Sequence, residues 1–312
     1  MIWDGILEQI GWDDANMKDA FATFHPIVIF VYFVVVILFS MFIMHPMFLG
    51  ISLICAFIYS ITLNGKKAIQ FNFLFLIPFL IIAALINPLF NHEGITILWY
   101  AYSGNPITLE SILYGIAAAV MFVSVICWFS CYNAVMTSDK FIYLFGRIIP
   151  GLSLIFSMVL RFVPKYKAQI QAISNAQKCI GRDISNGNII QRARHGIRIV
   201  SIMITWALEN AIETADSMKS RGYGLKGRTS FSIFRFDDRD KLVFVLMLAL
   251  ILFILIGASL GVISMRYYPS IQAASITPLH LCVSIAYTGL CLLPVMINLL
   301  EARKWKYLQS KI

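Results

Sequence analysis

Charged residues are scarce in this sequence. They make up 13% of the 312 residues, whereas hydrophobic residues make up 59%. A soluble globular domain has about 25% charged residues and about half apolar residues. The composition therefore excludes a soluble domain and predicts an integral membrane protein. Because helices satisfy their own backbone hydrogen bonds in lipid, we expect an all-α membrane fold.

The sequence also lacks motifs for catalysis and for metal binding. Its six cysteines form no Cys-x-x-Cys pair, so we interpret them as apolar packing residues. The dipeptide His92-Glu93 has no metalloprotease spacing, and no set of reactive side chains stands out. The first 25 residues lack the basic start and apolar core of a cleavable signal peptide. We therefore predict a chain with no catalytic residue, metal ligand or bound cofactor of its own.

Long apolar runs are what the sequence contains instead. A membrane-spanning helix needs about 20 apolar residues, and six runs meet this length or approach it. They are Ile27–Met44, Met47–Leu63, Phe71–Phe90, Ser111–Tyr132, Leu242–Met265 and Pro278–Leu300. We predict an N-terminal bundle of about four spans in residues 1–133, a middle segment in 134–240, and two C-terminal helices in 241–312.

Positive charge is concentrated in the middle of the chain. Seventeen of the 25 Lys and Arg residues lie between Ala134 and Lys241, and the predicted turns 91–106 and 267–277 contain none. The positive-inside rule then places the middle segment in the cytoplasm. A net charge of +9 could also indicate nucleic-acid binding. We do not favour it, because these charges alternate with apolar residues and no nucleic-acid motif accompanies them.

Two helical patterns in the middle segment share one feature. The first begins at Pro164 and stops at Gly181, and the second runs to Ser220 with Gly222 just beyond it. Each pattern carries alanines at a spacing of four, Ala168, Ala172 and Ala176 in the first and Ala207, Ala211 and Ala215 in the second. Small residues at this spacing allow helix backbones to approach closely. They predict either ordinary packing in a bundle or a crossed helix pair whose ends face another protein.

The ends of both helical patterns carry basic residues. The first ends near Lys178 and Arg182, and the second near Lys219 and Arg221. A helix C-terminus favours cations. Arginine in particular suits a groove lined by carboxylates or carbonyls, because its guanidinium is rigid and always charged. The tripeptide Ser220-Arg221-Gly222 is therefore suited to docking into a partner.

A family resemblance runs through these segments. The stretch Ala211–Gly224, which reads AIETADSMKSRGYG, resembles the signature of the transmembrane T component of energy-coupling-factor (ECF) transporters, a family related to the cobalt-transport permease subunit. Three further pieces agree in order, Asn87–Gly94, Leu160–Pro164 and Ala176–Lys178. The similarity covers roughly His25 to Arg228.

The resemblance implies a non-catalytic subunit of a bacterial importer. In that family, the T component has two crossed coupling helices, which we expect here in the cytoplasmic middle segment beside the six predicted spans. It bridges two ABC-type ATPase subunits, identical or different, and a small substrate-binding membrane S component. The ATPases use ATP and Mg²⁺, and the complex takes up a vitamin or a transition-metal ion through the cell membrane. Each coupling helix ends in an Arg-centred motif that enters a groove of one ATPase.

The match assigns docking residues to both helix ends of this chain. Ser220, Arg221 and Gly222 match the second motif. The first motif departs from the family pattern Gln-Lys-Ala-Arg-Gly, because Ile180 stands where arginine is expected, between Lys178-Cys179 and Gly181. Two alternatives remain open. Either Arg182 takes the role of the missing arginine, or this end docks by apolar contact through Ile180.

Two other classes of protein also remain open. A self-contained secondary transporter is expected to show internal repeats and ionisable residues in its spans, and this chain has few charges there. A membrane enzyme would need a convergent set of reactive groups. The stretch Gly222–Thr229 has the spacing of a phosphate-binding loop, but Arg228 replaces the lysine and a helix precedes it. We therefore do not predict nucleotide binding.

Overall fold

The structure, a computed structural model, describes residues 19–100, 106–146, 150–182, 188–223, 225, 234–275 and 277–311. The helices are α1 (Pro26–Phe42), α2 (Pro46–Phe71), α3 (Ile77–Phe90), α4 (Leu109–Val135), α5 (Ser138–Gly146), α6 (Pro150–Cys179), α7 (Ile189–Ser220), α8 (Asp238–Ser259) and α9 (Pro278–Gln309). This architecture confirms the prediction of an all-α membrane protein.

Among the described residues, four short strands, which were not predicted, lie in or beside the two long turns of the sequence. Strands β1 (Ile97–Tyr100) and β2 (Pro106–Thr108) form one antiparallel hairpin before α4. Strands β3 (Met265–Arg266) and β4 (Gln272–Ala273) form a second hairpin before α9. Both hairpins connect apolar helices.

The chain divides into two compact units. Residues 1–140 and 234–312 form one unit, which we call the membrane bundle, and residues 141–233 form the other, which we call the central module. The N-terminal and C-terminal helices, predicted as separate segments, thus belong to the same unit. The predicted limits of the middle segment, 134 and 240, lie a few residues outside the central module.

Five helical segments among the described residues are long and apolar enough to cross a membrane. They are Pro46–Gly65, Ala68–Phe90, Leu109–Val135, Asp238–Ser259 and Pro278–Gln309. The remaining predicted span, Ile27–Met44, corresponds to α1, which is apolar but has 17 residues. At 1.5 Å per residue its length is about 25 Å, somewhat less than the hydrocarbon thickness of about 30 Å.

The first two long spans meet at a glycine. Helix α2 breaks at Gly65, whose φ of 53° and ψ of −131° are not helical. Glycine adopts such a conformation readily because it has no Cβ. The second span then combines the end of α2, a π-helical segment (Asn72–Leu76) and α3. The break falls between the two predicted spans Met47–Leu63 and Phe71–Phe90, as the sequence indicates.

Aromatic rings and serines form the core of the membrane bundle. Trp128 of α4 is fully buried, with its ring centroid 6.2 Å from that of Tyr32. Its Nε1 donates a hydrogen bond of 3.0 Å to Ser52 Oγ of α2. The same Oγ lies 2.7 Å from Ser40 Oγ of α1 and 2.7 Å from Ser124 Oγ of α4. These bonds join three helices, and each satisfies polar atoms that are buried in an apolar setting.

The end of α3 and the loop that follows it are bonded to the start of α4. Asn87 Nδ2 donates to the carbonyl oxygen of Ser111 (2.8 Å), and Thr108 Oγ1 donates to that of Glu93 (2.7 Å). This loop includes His92-Glu93 and is the first of the further segments that carry the family resemblance. Its described bonds hold two helices together.

The first long helix of the central module starts earlier than predicted. Pro164 was expected to begin a helix, but it lies inside α6, which begins at Pro150. A proline inside a helix lacks the N–H for one backbone hydrogen bond. The helix continues past it, so the apolar segment Phe141–Val163 comprises part of α5 and the first half of α6.

Candidate docking site at two helix ends

Helices α6 and α7 pack through large side chains. Ile173 of α6 forms a buried cluster with Ile199 and Met203 of α7. Towards the start of α6, the ring of Tyr166 contacts that of Trp206 edge-on, with centroids 5.6 Å apart. The contact is therefore a small apolar core that spans about two turns of α6.

A lysine closes one end of this contact. Lys165 Nζ donates a hydrogen bond of 3.0 Å to Asn210 Oδ1 and lies 5.4 Å from the ring centroid of Trp206. Because Lys165 contacts a later residue of α7 than Ile173 does, the two helices run in opposite directions across the contact. Their C-terminal ends therefore point away from each other, and a rise of 1.5 Å per residue sets their separation at no more than about 40 Å.

The predicted alanine stripes do not form this contact. The structure leaves Ala168, Ala172, Ala176, Ala211 and Ala215 exposed and Ala207 half-buried. The sequence pattern correctly indicated helices with one small-residue face, but the larger Ile, Met and aromatic side chains bury more apolar area and determine the packing. A role of the alanines in contacting another subunit stays a prediction.

The end of α6 is closed by a left-handed glycine. Gly181 has a φ of 77°, and its N–H donates to Lys178 O at 3.0 Å. The next N–H, of Arg182, donates to Gln177 O at 3.0 Å. This pair of bonds defines a Schellman cap, in which a residue without a Cβ penalty turns the chain out of the helix. Ile180 immediately precedes the glycine and is 64% exposed.

The end of α7 forms the same cap. Gly222 has a φ of 78°, its N–H donates to Lys219 O at 3.0 Å, and the N–H of Tyr223 donates to Met218 O at 3.0 Å. Arg221 is exposed and immediately precedes the glycine. Ser220 is the last helical residue, and its Oγ donates to Ser217 O at 2.9 Å.

The two caps correspond residue by residue. Ile180 occupies the position of Arg221, and Gly181 occupies that of Gly222. Arg182 corresponds to Tyr223, because each donates the outer bond of its cap. Arg182 is half-buried, whereas Ile180 and Arg221 are exposed. Arg182 therefore does not occupy the position of the missing arginine.

The cap alone does not identify a docking site. Helix α8 ends in the same way, with Gly261 at a φ of 75° and a bond from Val262 N to Gly257 O. Its last turn carries no basic residue, whereas the last turns of α6 and α7 carry Lys178 and Lys219, both exposed. What distinguishes the two ends in the central module is the combination of the cap with exposed positive charge.

Two residues beyond the second cap extend this exposed surface. Tyr223 is 46% exposed and Leu225 is 71% exposed. A Cβ built on Gly222 would lie 3.1 Å from Leu225 Cδ1, so this leucine folds back over the cap. Neither residue is among the docking residues predicted from the sequence. The apolar residue that often follows a Schellman glycine is the signal that could have found Tyr223.

A comparison with known protein families matches most of the chain. Residues 23–231 match the family described as cobalt transport protein (CbiQ). The chain belongs to this family. The cobalt transport protein match includes both caps and agrees with the extent of the resemblance predicted from the sequence, His25 to Arg228. Together with the apolar helices, it identifies a multi-pass membrane protein.

Individual members with curated names resemble a shorter part of the chain. Several of them, including the three that follow, are named energy-coupling factor transporter transmembrane protein EcfT. The one from Streptococcus thermophilus is 39% identical over 107 residues, which are 33% of this chain and 40% of that protein. Those from Staphylococcus aureus and Lactobacillus helveticus are 35% identical over 115 residues and 33% identical over 108 residues. These alignments cover 36% and 33% of this chain, and 43% and 39% of the respective relatives.

Proposed function

We propose that this chain is the T component of an ECF-type ABC importer. It would transmit ATP-driven motion from two ATPase subunits to a substrate-binding membrane subunit, for uptake of a vitamin or a transition-metal ion. The chain itself would catalyse no reaction. The observation that carries the proposal is the pair of identical caps, which present Ile180 and Arg221 at equivalent exposed positions of two helices in one module.

The shape of the helix pair supports binding to two ATPase subunits. The two ends point away from each other, so each can enter a different protein. At the end of α7, Arg221 follows the last helical residue, close to carbonyl groups that carry partial negative charge. A groove with carboxylates or carbonyls would receive its guanidinium through two parallel hydrogen bonds. Docking by a preformed cap avoids the entropy cost of ordering a loop.

The two ends would dock by different chemistry. Because Ile180 occupies the position of Arg221, and Arg182 that of Tyr223, we favour apolar contact through Ile180 at the first end. Moving an exposed isoleucine side chain into an apolar pocket lowers the free energy of the complex. The ATPase groove that receives α6 would then be less acidic than the one that receives α7, and the two ATPase subunits would be different proteins.

The proposal also assigns compartments and cofactors. ATP and Mg²⁺ would be bound by the ATPase subunits, so the central module would lie in the cytoplasm of a bacterial cell. Seventeen of the 25 Lys and Arg residues fall in or beside this module, in accord with the positive-inside rule. The membrane bundle would cross the cell membrane and contact the substrate-binding subunit and lipid. We expect no nucleic-acid partner.

The experiment that tests the proposal compares three arginine variants in the complete complex. The chain is co-expressed with ABC-type ATPase and small membrane subunits from its own genome, and the retained ATPase subunits and the ATP hydrolysis rate are measured. Arg221→Ala should weaken ATPase binding by about 30-fold or more, because buried interface arginines are commonly worth at least 2 kcal/mol. Arg182→Ala should leave both quantities close to those of the original chain.

Arg198→Ala is the matched control, because it removes an exposed arginine from the same helix far from the cap. It should leave assembly unchanged. Failure of every such ATPase subunit to co-purify with the unaltered chain would refute the proposal, as would full assembly and activity of Arg221→Ala. Transport by the chain alone would indicate a secondary transporter instead.

A further inference from the structure

The hairpin between α3 and α4 exposes an apolar strand. All four residues of β1, Ile97–Tyr100, are exposed, with Trp99 at 60% and Tyr100 at 66%. Successive side chains of a strand point to opposite faces. Both faces of β1 are therefore bare aliphatic and aromatic surface, since β2 pairs along one edge of the strand.

The sequence around this strand carries no charge. Positions 94 to 109 contain no Lys, Arg, Asp or Glu. Edge strands in water usually carry charged residues, which prevent pairing with other chains. Ile95, just before β1, is also exposed. An apolar surface of this kind marks contact with another molecule or with a membrane.

The base of the hairpin is fixed to the first turn of α4. Glu110 is buried, and its carboxylate accepts hydrogen bonds from Thr96 Oγ1 (2.7 Å) and Thr96 N (3.2 Å). The N–H of Leu109 donates to Thr96 O at 3.0 Å. A carboxylate in the first turn of a helix is also stabilised by the helix dipole. Thr96 immediately precedes β1, so these bonds tie the strand to the end of α4.

A glycine allows this close attachment. Gly94 has a φ of 141°, and an added Cβ would lie 2.6 Å from Glu110 Oε2 and 2.8 Å from Thr108 Oγ1. A larger residue would both strain the backbone and push the loop away from α4. The hairpin therefore stays next to the end of the helix.

The length of α4 places this attachment at the surface of the bilayer. Its 27 residues, Leu109–Val135, form a candidate membrane span and extend over about 40 Å. The hydrocarbon core is about 30 Å thick, and the bilayer with its headgroups is about 40–45 Å thick. A helix of this length has its ends in the headgroup layers, each of which is about 5–8 Å wide. The hairpin starts in that layer.

The exposed surface of the hairpin continues that of α3. Three apolar residues in the last two turns of α3 are exposed, Ile86, Leu89 and Phe90. They belong to the candidate span Ala68–Phe90. The end of α3 and the base of β1 are both bonded to the first turn of α4, through Asn87 and Thr96. Glu93 lies between them and is exposed, which suits a polar headgroup layer.

The residue types of β1 suit the boundary between lipid and water. Tryptophan and tyrosine combine an apolar ring with a polar N–H or O–H group, and both are enriched at membrane interfaces. The free edge of a strand also presents backbone N–H and C=O groups that need water or headgroups as partners. These groups exclude the hydrocarbon core, and the bare side chains disfavour bulk water.

We propose that the hairpin β1–β2 lies in the headgroup layer of the bilayer and anchors the adjoining ends of α3 and α4 at that depth. Its partner is the lipid surface, which Leu98, Trp99 and Tyr100 contact. This inference requires only that the bundle spans a membrane. The assignment of the hairpin to the outer leaflet follows from a cytoplasmic central module, and that part alone rests on the proposed function.

The test measures the depth of spin labels on the isolated chain in lipid nanodiscs. The two exposed cysteines are first replaced, by Cys179→Ser and Cys282→Ser, and the other four are buried. A cysteine at position 98 or 100 then carries the label. Its accessibility to oxygen, which partitions into lipid, is compared with that to a water-soluble nickel chelate. Both labels should lie within about 8 Å of the edge of the hydrocarbon core.

Two reference positions bracket this result. A label replacing Ile81, which is exposed near the middle of a span, should report hydrocarbon. A label replacing Ser310 should report water, because α9 has 32 residues and its length of about 48 Å exceeds the thickness of the bilayer. If the labels at positions 98 and 100 are as accessible to the nickel chelate as the label at 310, the proposal is overturned.

A charged variant tests whether lipid contact holds the hairpin in place. Trp99 is exposed, so Trp99→Asp removes little packing within the protein. It should move a label at position 100 into water, because a carboxylate disfavours contact with lipid. Trp99→Tyr is the matched control and should leave the depth of the label unchanged. An unchanged depth in Trp99→Asp would contradict anchoring by lipid.

The complete complex separates lipid from a protein partner. Labels at positions 98 and 100 should have the same depth in the isolated chain and in the complex. If they face water in the isolated chain and become shielded only when the substrate-binding subunit is added, the hairpin is a protein interface and the proposal fails. Full assembly of Arg221→Ala would refute the proposed function, whereas the depth of the labels in the isolated chain would still decide the position of the hairpin.

Discussion

The cap at Gly222 allows a quantitative test of the docking site. Its φ of 78° lies in the left-handed region, and an added Cβ would lie 3.1 Å from Leu225 Cδ1. The left-handed conformation costs an L-residue about 1–2 kcal/mol, whereas the leucine side chain can shift. Gly222→Ala should therefore destabilise the cap by about 1–2 kcal/mol, which is about a 5- to 30-fold shift in its opening equilibrium.

Hydrogen exchange measures this shift directly. The N–H groups of Gly222 and Tyr223 donate to Lys219 O and Met218 O in the cap, each at 3.0 Å. Both should exchange about 5- to 30-fold faster in Gly222→Ala, because exchange follows the population of the open cap. If docking requires the closed cap, ATPase affinity falls only to the extent that the closed fraction falls.

Gly196→Ala is the matched control on the same helix. Nothing lies within 4 Å of a Cβ at Gly196, and alanine favours a helix interior over glycine by about 0.5–1 kcal/mol. The same chemical change should thus leave exchange near the cap unchanged and slow it around position 196. If the amides at positions 222 and 223 exchange at their original rates in Gly222→Ala, the argument from the left-handed cap is refuted.

Three further outcomes follow from the structure. Gly257→Ala should lower the melting temperature by several degrees, because the new methyl group would lie 2.6 Å from a side-chain carbon of α9. Overpacking of this kind costs about 1–3 kcal/mol. Gly289→Ala is the control and should not lower the melting temperature, because nothing lies within 4 Å of a Cβ at Gly289. Ile180→Arg should strengthen binding to an ATPase subunit with an acidic groove, measured as a lower Kd, because position 180 matches position 221. Burial raises the pKa of the Asp19 carboxyl above its ordinary value of 3.8. The contribution of Asp19 to stability is therefore greatest below pH 3.8 and falls as the pH rises through the raised pKa. Asp19→Asn should flatten this fall when the melting temperature is measured across acidic pH.

Helix ends in the central module could be predicted because their determinants are local. Gly181 and Gly222 end α6 and α7 where the sequence indicated, since the left-handed conformation favours glycine whatever packs nearby. The start of the first of these helices was not predicted correctly. Pro164 has the local features of a first turn, yet α6 continues through it from Pro150. A proline is compatible with both positions, and its neighbours in the fold decide between them.

The candidate site shows the same division. Arg221 was predicted from its sequence motif, but the relation of Ile180 and Arg182 to it required the backbone bonds of both caps. The alanine stripes correctly marked helices, but exposure shows that larger side chains make the contact between α6 and α7. Periodicity identifies a face of a helix and does not identify what covers it.

Composition by itself determined that this protein resides in a membrane, because a chain with 59% hydrophobic and 13% charged residues cannot cover its apolar surface in water. Local sequence determined where the two helices with basic ends stop. Only the tertiary structure decided that, within the membrane bundle, Lys140 donates a hydrogen bond to Ala22 O and Asp240 accepts one from the N–H of His25. Lys140 and Asp240 are far apart in the sequence, and burial of their charges is favourable only where the fold brings the matching carbonyl and N–H groups to them.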